Sequence, residues 1–306
     1  MSATVIKEFE QIKLEKEDGI AILTLHRPEK MNAFTGKMMM EMIAAFDETD
    51  KDDDIKVVIV TGSGERAFCA GADLSEGAKT FDYDARASSG EAGRTDKTDI
   101  QRDGGGRVTL RIFESVKPVI GAINGAAVGI GVTMQLPMDI RLASDNARFG
   151  FVFNKRGINP EAASSWFLPR LVGISKALEW CYTGRVFPAA EALSGGLVSE
   201  VVPQADLMTR AKELAREIAD NTAPVSNALT RHMMWRMLGA EHPMEAHIVD
   251  SASIYERGQS PDAKEGVMSF LEKRPAKYEG SVSKDMPSFF PWWDEKKFKW
   301  ISKKGG

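Results

Sequence analysis

The stretch K-P-V-I-G-A-I-N-G-A-A-V-G-I-G-V-T-M, residues 117–134, decides the fold more than any other part of the chain. Val119 to Ile123 is apolar and predicts a short buried strand, and Asn124-Gly125 predicts a turn after it. Beyond the turn, Gly129-Ile130-Gly131 opens a segment of small and apolar residues that is compatible with a helix.

A strand, a glycine-lined turn and a helix start together predict a binding site for negative charge. Glycines let another molecule come close to the backbone, and the first amides of a helix have no partners inside it. Such amides stabilise a developing negative charge. We therefore expect the Ile130 N–H to form half of an oxyanion hole.

The composition narrows the class of protein. The chain has 306 residues, 43% of them hydrophobic and 27% charged, which is typical of a globular protein of one large domain or slightly more. A net charge of -4 and a pI of about 5.8 argue against a nucleic-acid-binding surface. No apolar run approaches the roughly 20 residues of a membrane-spanning helix. Without a membrane segment or a recognisable targeting signal, we expect a cytoplasmic protein.

Cysteine and histidine give no metal site or disulfide framework. Cys69 and Cys181 are far apart in sequence, which predicts a reducing compartment and no metal-ligand pair. The four histidines lack the H-E-x-x-H spacing of a zinc site. No G-x-S-x-G motif is present, which argues against the common α/β type of serine hydrolase.

The periodicity of apolar residues predicts an α/β protein. Gly19 to Leu25 and Ile55 to Thr61 are apolar on both faces, as in strands that are covered on both sides. Apolar residues recur at helical spacing between Lys37 and Asp50, which predicts an amphipathic helix. Strand and helix patterns alternate up to about residue 202, and helical patterns follow. That order predicts an α/β core with a helical C-terminal part.

Two further segments bear on a site. Asn159-Pro160-Glu161 predicts a helix start, with Asn159 as the cap and Pro160 in the first turn. Glu76 to Arg107 is polar, charged and glycine-rich, which predicts a mobile loop. Because this segment follows the small-residue stretch Phe68 to Leu74, it is also a candidate lid.

Three carboxylates and one glycine motif each allow more than one interpretation of their role. Glu161 is a candidate acid or base, although a glutamate in the first turn of a helix is also favoured by the helix dipole alone. Asp73 and Asp139 are better explained as capping or ion-pair residues. Gly62 to Ala67 reads G-x-G-x-x-A after a strand, with Asp82 at the distance of a ribose-binding acid. That dinucleotide alternative requires a helix to start there, which the sequence that follows does not favour.

Taken together, these motifs resemble the crotonase (enoyl-CoA hydratase/isomerase) superfamily from about Phe9 to Tyr278. The order and spacing of the motifs carry the resemblance more than any single one. They are Arg27-Pro28 with Asn32-Ala33, Phe68 to Leu74, Asn124-Gly125 with Gly129-Ile130-Gly131, Ala147 to Gly150, Gly157 to Pro160, Gly195 to Val198 and Phe270 to Arg274.

The resemblance implies a fold and an assembly. It implies a four-turn ββα superhelix over residues 1–203 and a helical trimerisation region over 204–278. The tail over 279–306 lies outside the resemblance, and we expect its aromatic residues to dock on their own domain or on a neighbouring subunit. The assembly would be a homotrimer or a dimer of trimers. The substrate would be an acyl-CoA thioester, with coenzyme A as part of the substrate and no separate cofactor. The backbone amides that match the oxyanion hole are those of Ala70 and Ile130.

The active-site positions favour one reaction of the superfamily. Hydratases use two glutamates, and the matching positions here are Thr133 and Phe153, neither of which titrates. Gly157 to Trp166 instead resembles the peroxisomal-type Δ3,Δ2-enoyl-CoA isomerases, in which the glutamate matching Glu161 is the sole base. The alternatives are enoyl-CoA hydration, thioester hydrolysis, and a non-catalytic acyl-CoA-binding protein. Burial would raise the pKa of Glu161 and a helix N-terminus would lower it.

The resemblance also assigns residues to the binding of the acyl-CoA. Phe270 and Lys273 match residues that reach the CoA, often from another subunit. The remaining positions assigned to binding are Lys30, Met31, Ala33, Phe68, Ala70, Gly71, Ala72, Asp73, Leu74, Gly129, Thr133 and Pro160.

Overall fold

The computed structural model describes residues 3–83 and 102–299 of the chain. The strands, numbered in chain order, are β1 (Thr4–Lys7), β2 (Ile12–Glu17), β3 (Ile20–Leu25), β4 (Val57–Gly62), β5 (Ala67–Cys69), β6 (Val119–Ile123), β7 (Ala126–Val128), β8 (Ile140–Ser144), β9 (Arg148–Gly150), β10 (Val186–Pro188) and β11 (Glu200–Val202). The α-helices are α1 (Gly36–Lys51), α2 (Gly104–Phe113), α3 (Ile130–Thr133), α4 (Ser164–Val172), α5 (Ile174–Thr183), α6 (Ala189–Ser194), α7 (Leu207–Asn221), α8 (Pro224–Met237), α9 (Pro243–Arg257) and α10 (Pro261–Glu272).

The larger sheet has seven strands in the order β1-β2-β3-β4-β6-β8-β11. The pairs β1/β2 and β2/β3 are antiparallel, and every later neighbour pair is parallel. The central strand β4 reads V-V-I-V-T-G and is buried at every position, because helices and the second sheet cover both of its faces. Strands β2 and β3 form a hairpin through the turn at Asp18-Gly19.

The smaller sheet has four strands in the order β10-β9-β7-β5. From β4 to β9, successive strands alternate between the two sheets, and α2 and α3 follow β5 and β7. This alternation produces repeated ββα turns. The predicted fold class, a parallel-sheet α/β core followed by a helical C-terminal region, is confirmed.

The central stretch differs in detail from its prediction. The strand Val119–Ile123 is present, but Ala126–Val128 forms an additional strand that the sequence did not suggest. The predicted helix is only the short element Ile130–Thr133, which packs against β5. Gly131 makes that packing possible, because a Cβ there would overlap the carbonyl of Cys69.

Two helix starts were predicted wrongly. Helix α4 begins at Ser164 rather than at Asn159, because Ala162 and Ala163 have φ values of 60° and 53° that interrupt a right-handed helix. Helix α2 begins at Gly104, inside the segment predicted as a loop, and its N-cap is Asp103. The part of the lid prediction that falls on residues 84–101 lies outside the described residues.

The dinucleotide alternative is also contradicted. After Gly62 to Arg66 the chain enters strand β5 at Ala67, so no helix N-terminus faces these glycines. Gly62 lies against the backbone of Phe68, and its N–H donates to Asn124 Oδ1 at 3.0 Å. The motif therefore serves strand packing.

Asp73 and Asp139 make the ion pairs that were predicted for them. Asp73 Oδ2 lies 2.9 Å from Arg27 Nη2. Asp139 Oδ2 lies 2.9 Å from Arg231 Nε, and its Oδ1 accepts from Trp235 Nε1 at 2.7 Å. Both carboxylates hold secondary-structure elements together.

The C-terminal tail packs on its own chain. Trp293 stacks on His232 of helix α8 with ring centroids 5.0 Å apart, and the Arg236 guanidinium lies over Trp293. Among the described residues, no helix combines the length and the apolar character needed to cross a membrane.

Candidate active site

A cavity of about 860 Å³ lies where the ends of the two sheets meet. Its volume is within the usual range for small-molecule sites. Its walls come from five places in the chain: the segment from the end of β3 to the start of α1, the loop after β5, the start of α2, the β7–α3 junction, and the segment between β9 and α4. Glu161 lies on this wall together with Asp103.

The Glu161 side chain is held from two sides. Thr133 Oγ1 of helix α3 donates to Glu161 Oε1 at 2.7 Å. On the other side, α2 begins so close that a Cβ at Gly105 would overlap Glu161 Oε2. The carboxyl group is therefore enclosed by protein, although the residue keeps partial exposure to the cavity.

This environment raises the pKa of Glu161 to about 8, from an ordinary value of 4.5. Burial is the largest cause, and the negative charge of Asp103 is the next. The hydrogen bond from Thr133 acts in the opposite direction. The N-terminus of α4, which was expected to lower this pKa, does not include Glu161, because Glu161 precedes that helix instead of lying in its first turn.

A second carboxyl group, that of Asp103, lies beside Glu161. Asp103 Oδ1 accepts from the N–H of Gly106, which makes it the cap of α2, and from the Ala162 N–H at 3.2 Å. The negative charge of Asp103 is one cause of the raised pKa of Glu161. The site therefore holds a pair of carboxyl groups rather than one.

The loop after β5 and the β7–α3 junction approach each other closely at one end of the cavity. Gly71 has φ +115°, and a Cβ there would lie 3.2 Å from the Val128 carbonyl oxygen. Gly129 has φ +57°, and a Cβ there would lie 3.8 Å from Gly71 Cα. Both backbone turns depend on glycine.

One of the two amides assigned to the oxyanion hole is already occupied. The Ala70 N–H donates to the Met31 carbonyl oxygen at 3.1 Å, so it is not available to a substrate. The Ala72 N–H, two residues further along the same loop, has no hydrogen-bond partner among the described residues. The Ile130 N–H at the start of α3 likewise has no partner within the described part of the chain. Ala72 and Ile130 both line the cavity.

The structure brings together much of the predicted site. The predicted residues that line the cavity are Ala70, Gly71, Ala72, Asp73, Leu74, Gly129, Ile130, Pro160 and Glu161. Lys30, Met31 and Ala33 do not line it, but their turn supports the β5 loop through the Met31 carbonyl.

Other predicted binding residues lie elsewhere. The Phe68 side chain is fully buried in the core, so it cannot contact a ligand in this conformation. Thr133 is fully buried and bonds Glu161 rather than lining the cavity. Phe270, 82% exposed, and Lys273 lie at the C-terminal end of α10 and do not line the cavity of their own chain. Their contribution from another subunit stays a prediction.

The sequence indicates that Asp103 is a helix N-cap, although this segment was predicted to be a loop. Asp103 is followed by three glycines and then by R-V-T-L-R-I-F, which has helical apolar spacing. An aspartate before such a segment is a favoured N-cap. The proximity of Asp103 to Glu161, by contrast, depends on contacts between residues 58 positions apart and has no local signal.

Comparison with known proteins agrees with this fold. The family model described as enoyl-CoA hydratase/isomerase matches residues 15–281. The enoyl-CoA hydratase ACTT3 of Alternaria alternata is 44% identical over 266 residues, which cover 87% of this chain and 84% of that protein. The 1,2-epoxyphenylacetyl-CoA isomerase of Escherichia coli is 32% identical over 270 residues, covering 86% of this chain and 96% of that one.

A solved structure extends the agreement to three dimensions. The crystal structure of a probable enoyl-CoA hydratase/isomerase from Mycobacterium abscessus superimposes with a TM-score of 0.76 at 33% identity. The match covers 88% of this chain and 99% of that chain. The chain belongs to the enoyl-CoA hydratase/isomerase family, within the crotonase superfamily.

Proposed function

We propose that this protein acts on acyl-CoA thioesters and moves a proton through Glu161, most readily as a Δ3,Δ2-enoyl-CoA isomerase. The observation that carries the proposal is the enclosed Glu161 carboxyl on the cavity wall, with a pKa raised to about 8. A carboxylate with a raised pKa is a stronger base than an ordinary glutamate, which suits proton removal from carbon.

The reaction uses one carboxyl group twice. The Glu161 carboxylate takes a proton from C2 of a 3-enoyl-CoA, and the electron pair moves to the thioester oxygen as a dienolate forms. The same carboxyl group then returns the proton to C4. The double bond thereby moves from C3–C4 to C2–C3, and the enzyme recovers its initial protonation state.

The negative charge on the thioester oxygen requires hydrogen-bond donors. We assign this role to the Ala72 and Ile130 N–H groups, which lack partners in the described structure and line the same cavity as Glu161. Two fixed donors stabilise the charge where it develops, and the loss of one such donor typically costs about 3 kcal/mol in barrier.

The test is the conversion of a 3-enoyl-CoA to its conjugated 2-trans isomer, followed by the appearance of the conjugated thioester absorbance. Glu161→Gln should lower kcat about 100-fold or more, because the amide cannot accept the proton. The exposed Glu279→Gln is the matched control and should turn over normally. A Glu161→Gln enzyme with unchanged turnover would remove this residue from the mechanism.

Hydration of a 2-enoyl-CoA is the second candidate, and it too has a specific observation in its favour. The usual hydratase positions carry Thr133 and Phe153, but Asp103 beside Glu161 supplies a second carboxyl group. Two carboxyl groups are sufficient to activate a water and to transfer a proton. The relative from Alternaria alternata that is 44% identical is also named an enoyl-CoA hydratase.

The two reactions separate on a 2-enoyl-CoA substrate. Hydration removes the conjugated absorbance and adds the mass of one water, whereas an isomerase leaves the product mass unchanged. Thioester hydrolysis would instead release free CoA thiol. Binding of a CoA ester by calorimetry without turnover of any of these substrates would identify a non-catalytic acyl-CoA-binding protein.

A further inference from the structure

Asp103 occupies a position that its capping role alone does not explain. As the N-cap of α2 it needs only to accept from the Gly106 N–H. It also accepts from the Ala162 N–H at 3.2 Å, and its side chain reaches the Glu161 carboxyl. One residue therefore links the start of α2 to the turn that carries Glu161.

The two carboxyl groups are neighbours, so the charge of one affects the ionisation of the other. Asp103 accepts from the Gly106 N–H and from the Ala162 N–H, and Ala162 directly follows Glu161. These bonds hold the Asp103 carboxylate at the turn that carries Glu161, where its negative charge disfavours a second negative charge on Glu161.

The contacts of Glu161 offset this effect only in part. Glu161 accepts a hydroxyl hydrogen bond from Thr133 and is enclosed by α2 and α3. Its pKa is raised, with burial as the largest cause and the Asp103 charge as the next, so Glu161 must lose a proton before it can act as a base.

The substitutions described below leave the other ionisable groups near Asp103 and Glu161 unchanged. Arg27 and Asp73 pair with each other on the cavity wall. Glu76, Tyr83 and Arg156 also line the cavity, and the buried Cys69 thiol lies behind α3. Only Asp103 forms a carboxyl–carboxyl pair with Glu161 among the described residues.

We propose that Asp103 is a positioning residue that acts through Glu161: its carboxylate, held at the start of α2 and by the Ala162 N–H, sets the pH at which Glu161 releases its proton. This inference rests on the proposed role of Glu161 in catalysis. It applies equally to isomerisation and to hydration, because each needs a Glu161 carboxyl group of defined protonation.

The direct test follows the Glu161 carboxyl without any substrate. The chain is labelled with 13C at the glutamate side-chain carboxyl, and the signal that disappears in Glu161→Gln is titrated by NMR. In the wild type we expect a midpoint near the pKa of about 8. Asp103→Asn keeps a good N-cap and an acceptor oxygen but removes the charge, so the midpoint should fall by about one pH unit or more.

Activity gives a second readout. The pH at which kcat/KM rises should move down in Asp103→Asn by the same amount as the NMR midpoint, and the plateau should fall several-fold because a weaker base remains. Asp206→Asn is the control for the loss of one negative charge, since Asp206 precedes α7, makes no capping hydrogen bond through its side chain and does not line the cavity. It should leave both the midpoint and the profile unchanged.

The outcomes separate this inference from the proposed function. An unchanged Glu161 midpoint in a folded Asp103→Asn protein overturns the proposed role of Asp103, whatever the activity. A shifted midpoint in a protein that turns over no enoyl-CoA supports the pair and rejects the proposed reaction. If Asp103→Asn does not fold, Asp103→Ser, which also caps a helix without a charge, is titrated in its place.

Discussion

At the scale of single residues, the reactivity of Glu161 depends on its neighbours. A surface glutamate ionises well below neutral pH, whereas burial and the Asp103 charge raise the pKa of Glu161 to about 8. Thr133 opposes this shift by donating to the charged form at 2.7 Å. Thr133, which the resemblance matches to a catalytic glutamate of hydratases, thus carries a hydroxyl that lowers the pKa of the proposed base.

Replacement of the Thr133 hydroxyl tests this tuning. Thr133→Val keeps the shape but removes the donor, so the pKa of Glu161 should rise further. The pH at which kcat/KM rises should move upward, and turnover at pH 7 should fall about 10-fold, as expected for a lost hydrogen bond to a charged group. Thr133→Ser, which keeps the hydroxyl, should restore the wild-type profile. A Thr133→Val profile identical to that of the wild type would contradict a direct role of this hydrogen bond.

At the scale of secondary-structure elements, short pieces of backbone matter more than long helices. Helix α3 has four residues, yet Gly131 lets it lie against β5 and Gly129 turns the chain into it. Helix α2 begins with three glycines, so its first turn can lie against the Glu161 carboxyl. Bulkier residues at these helix starts would separate the walls of the cavity.

Gly105→Ala tests the contact between α2 and Glu161. A Cβ at this position would overlap Glu161 Oε2, so the carboxyl should be displaced and kcat should fall about 10-fold to 100-fold. Stability should change little, because alanine is favoured over glycine in a helix by about 1 kcal/mol and this gain offsets part of the cost of the overlap. The enzyme assay and thermal unfolding are measured together.

Gly104→Ala is the control for that substitution. A Cβ at Gly104 would meet the flexible Met39 Sδ at 3.0 Å, and this side chain has room to move. Its loss of kcat should be much smaller than that of Gly105→Ala. Equal losses in the two variants would show that the helix start, and not the Glu161 contact, is sensitive.

At the scale of the whole molecule, the enclosed carboxyl lowers the stability of the fold. Glu161 in the unfolded chain loses its proton near its ordinary pKa of 4.5, whereas the folded chain holds the proton up to about pH 8. Because the raised pKa means that the folded state disfavours the charged form, stability decreases as the pH rises through this window. Each unit of the shift is worth about 1.4 kcal/mol.

Glu161→Gln should therefore be more stable than the wild type at alkaline pH. We expect no difference near pH 4, an increasing gain between pH 4.5 and 8, and a gain of about 1 kcal/mol or more above pH 8. Urea unfolding at several pH values measures it. The exposed Glu279→Gln should show no such trend. If the difference in stability between Glu161→Gln and the wild type were the same at pH 5 and at pH 9, this result would contradict the raised pKa of Glu161.

Much of the fold was predictable because it follows from local patterns. The β-branched run at β4 and the helical spacing in α1 determine buried elements directly, since the side-chain period is set by backbone geometry. The start of α4 was not predictable, because Asn159-Pro160 has the sequence of a good cap while Ala162 and Ala163 adopt positive φ. No local rule places alanine in that conformation, so the constraint comes from packing around it.

The sequence by itself determined the sheet-forming and helix-forming segments, the glycines of the site loops and the family to which the chain belongs. Only the tertiary structure decided which amides are free, because the Ala70 N–H is taken by Met31 from a distant turn while that of Ala72 is left without a partner in the described part of the chain. It also decided that Asp103 and Glu161 meet. The physical reason is that ionisation and hydrogen bonding depend on what surrounds a group in space, and those neighbours come from separate parts of the chain.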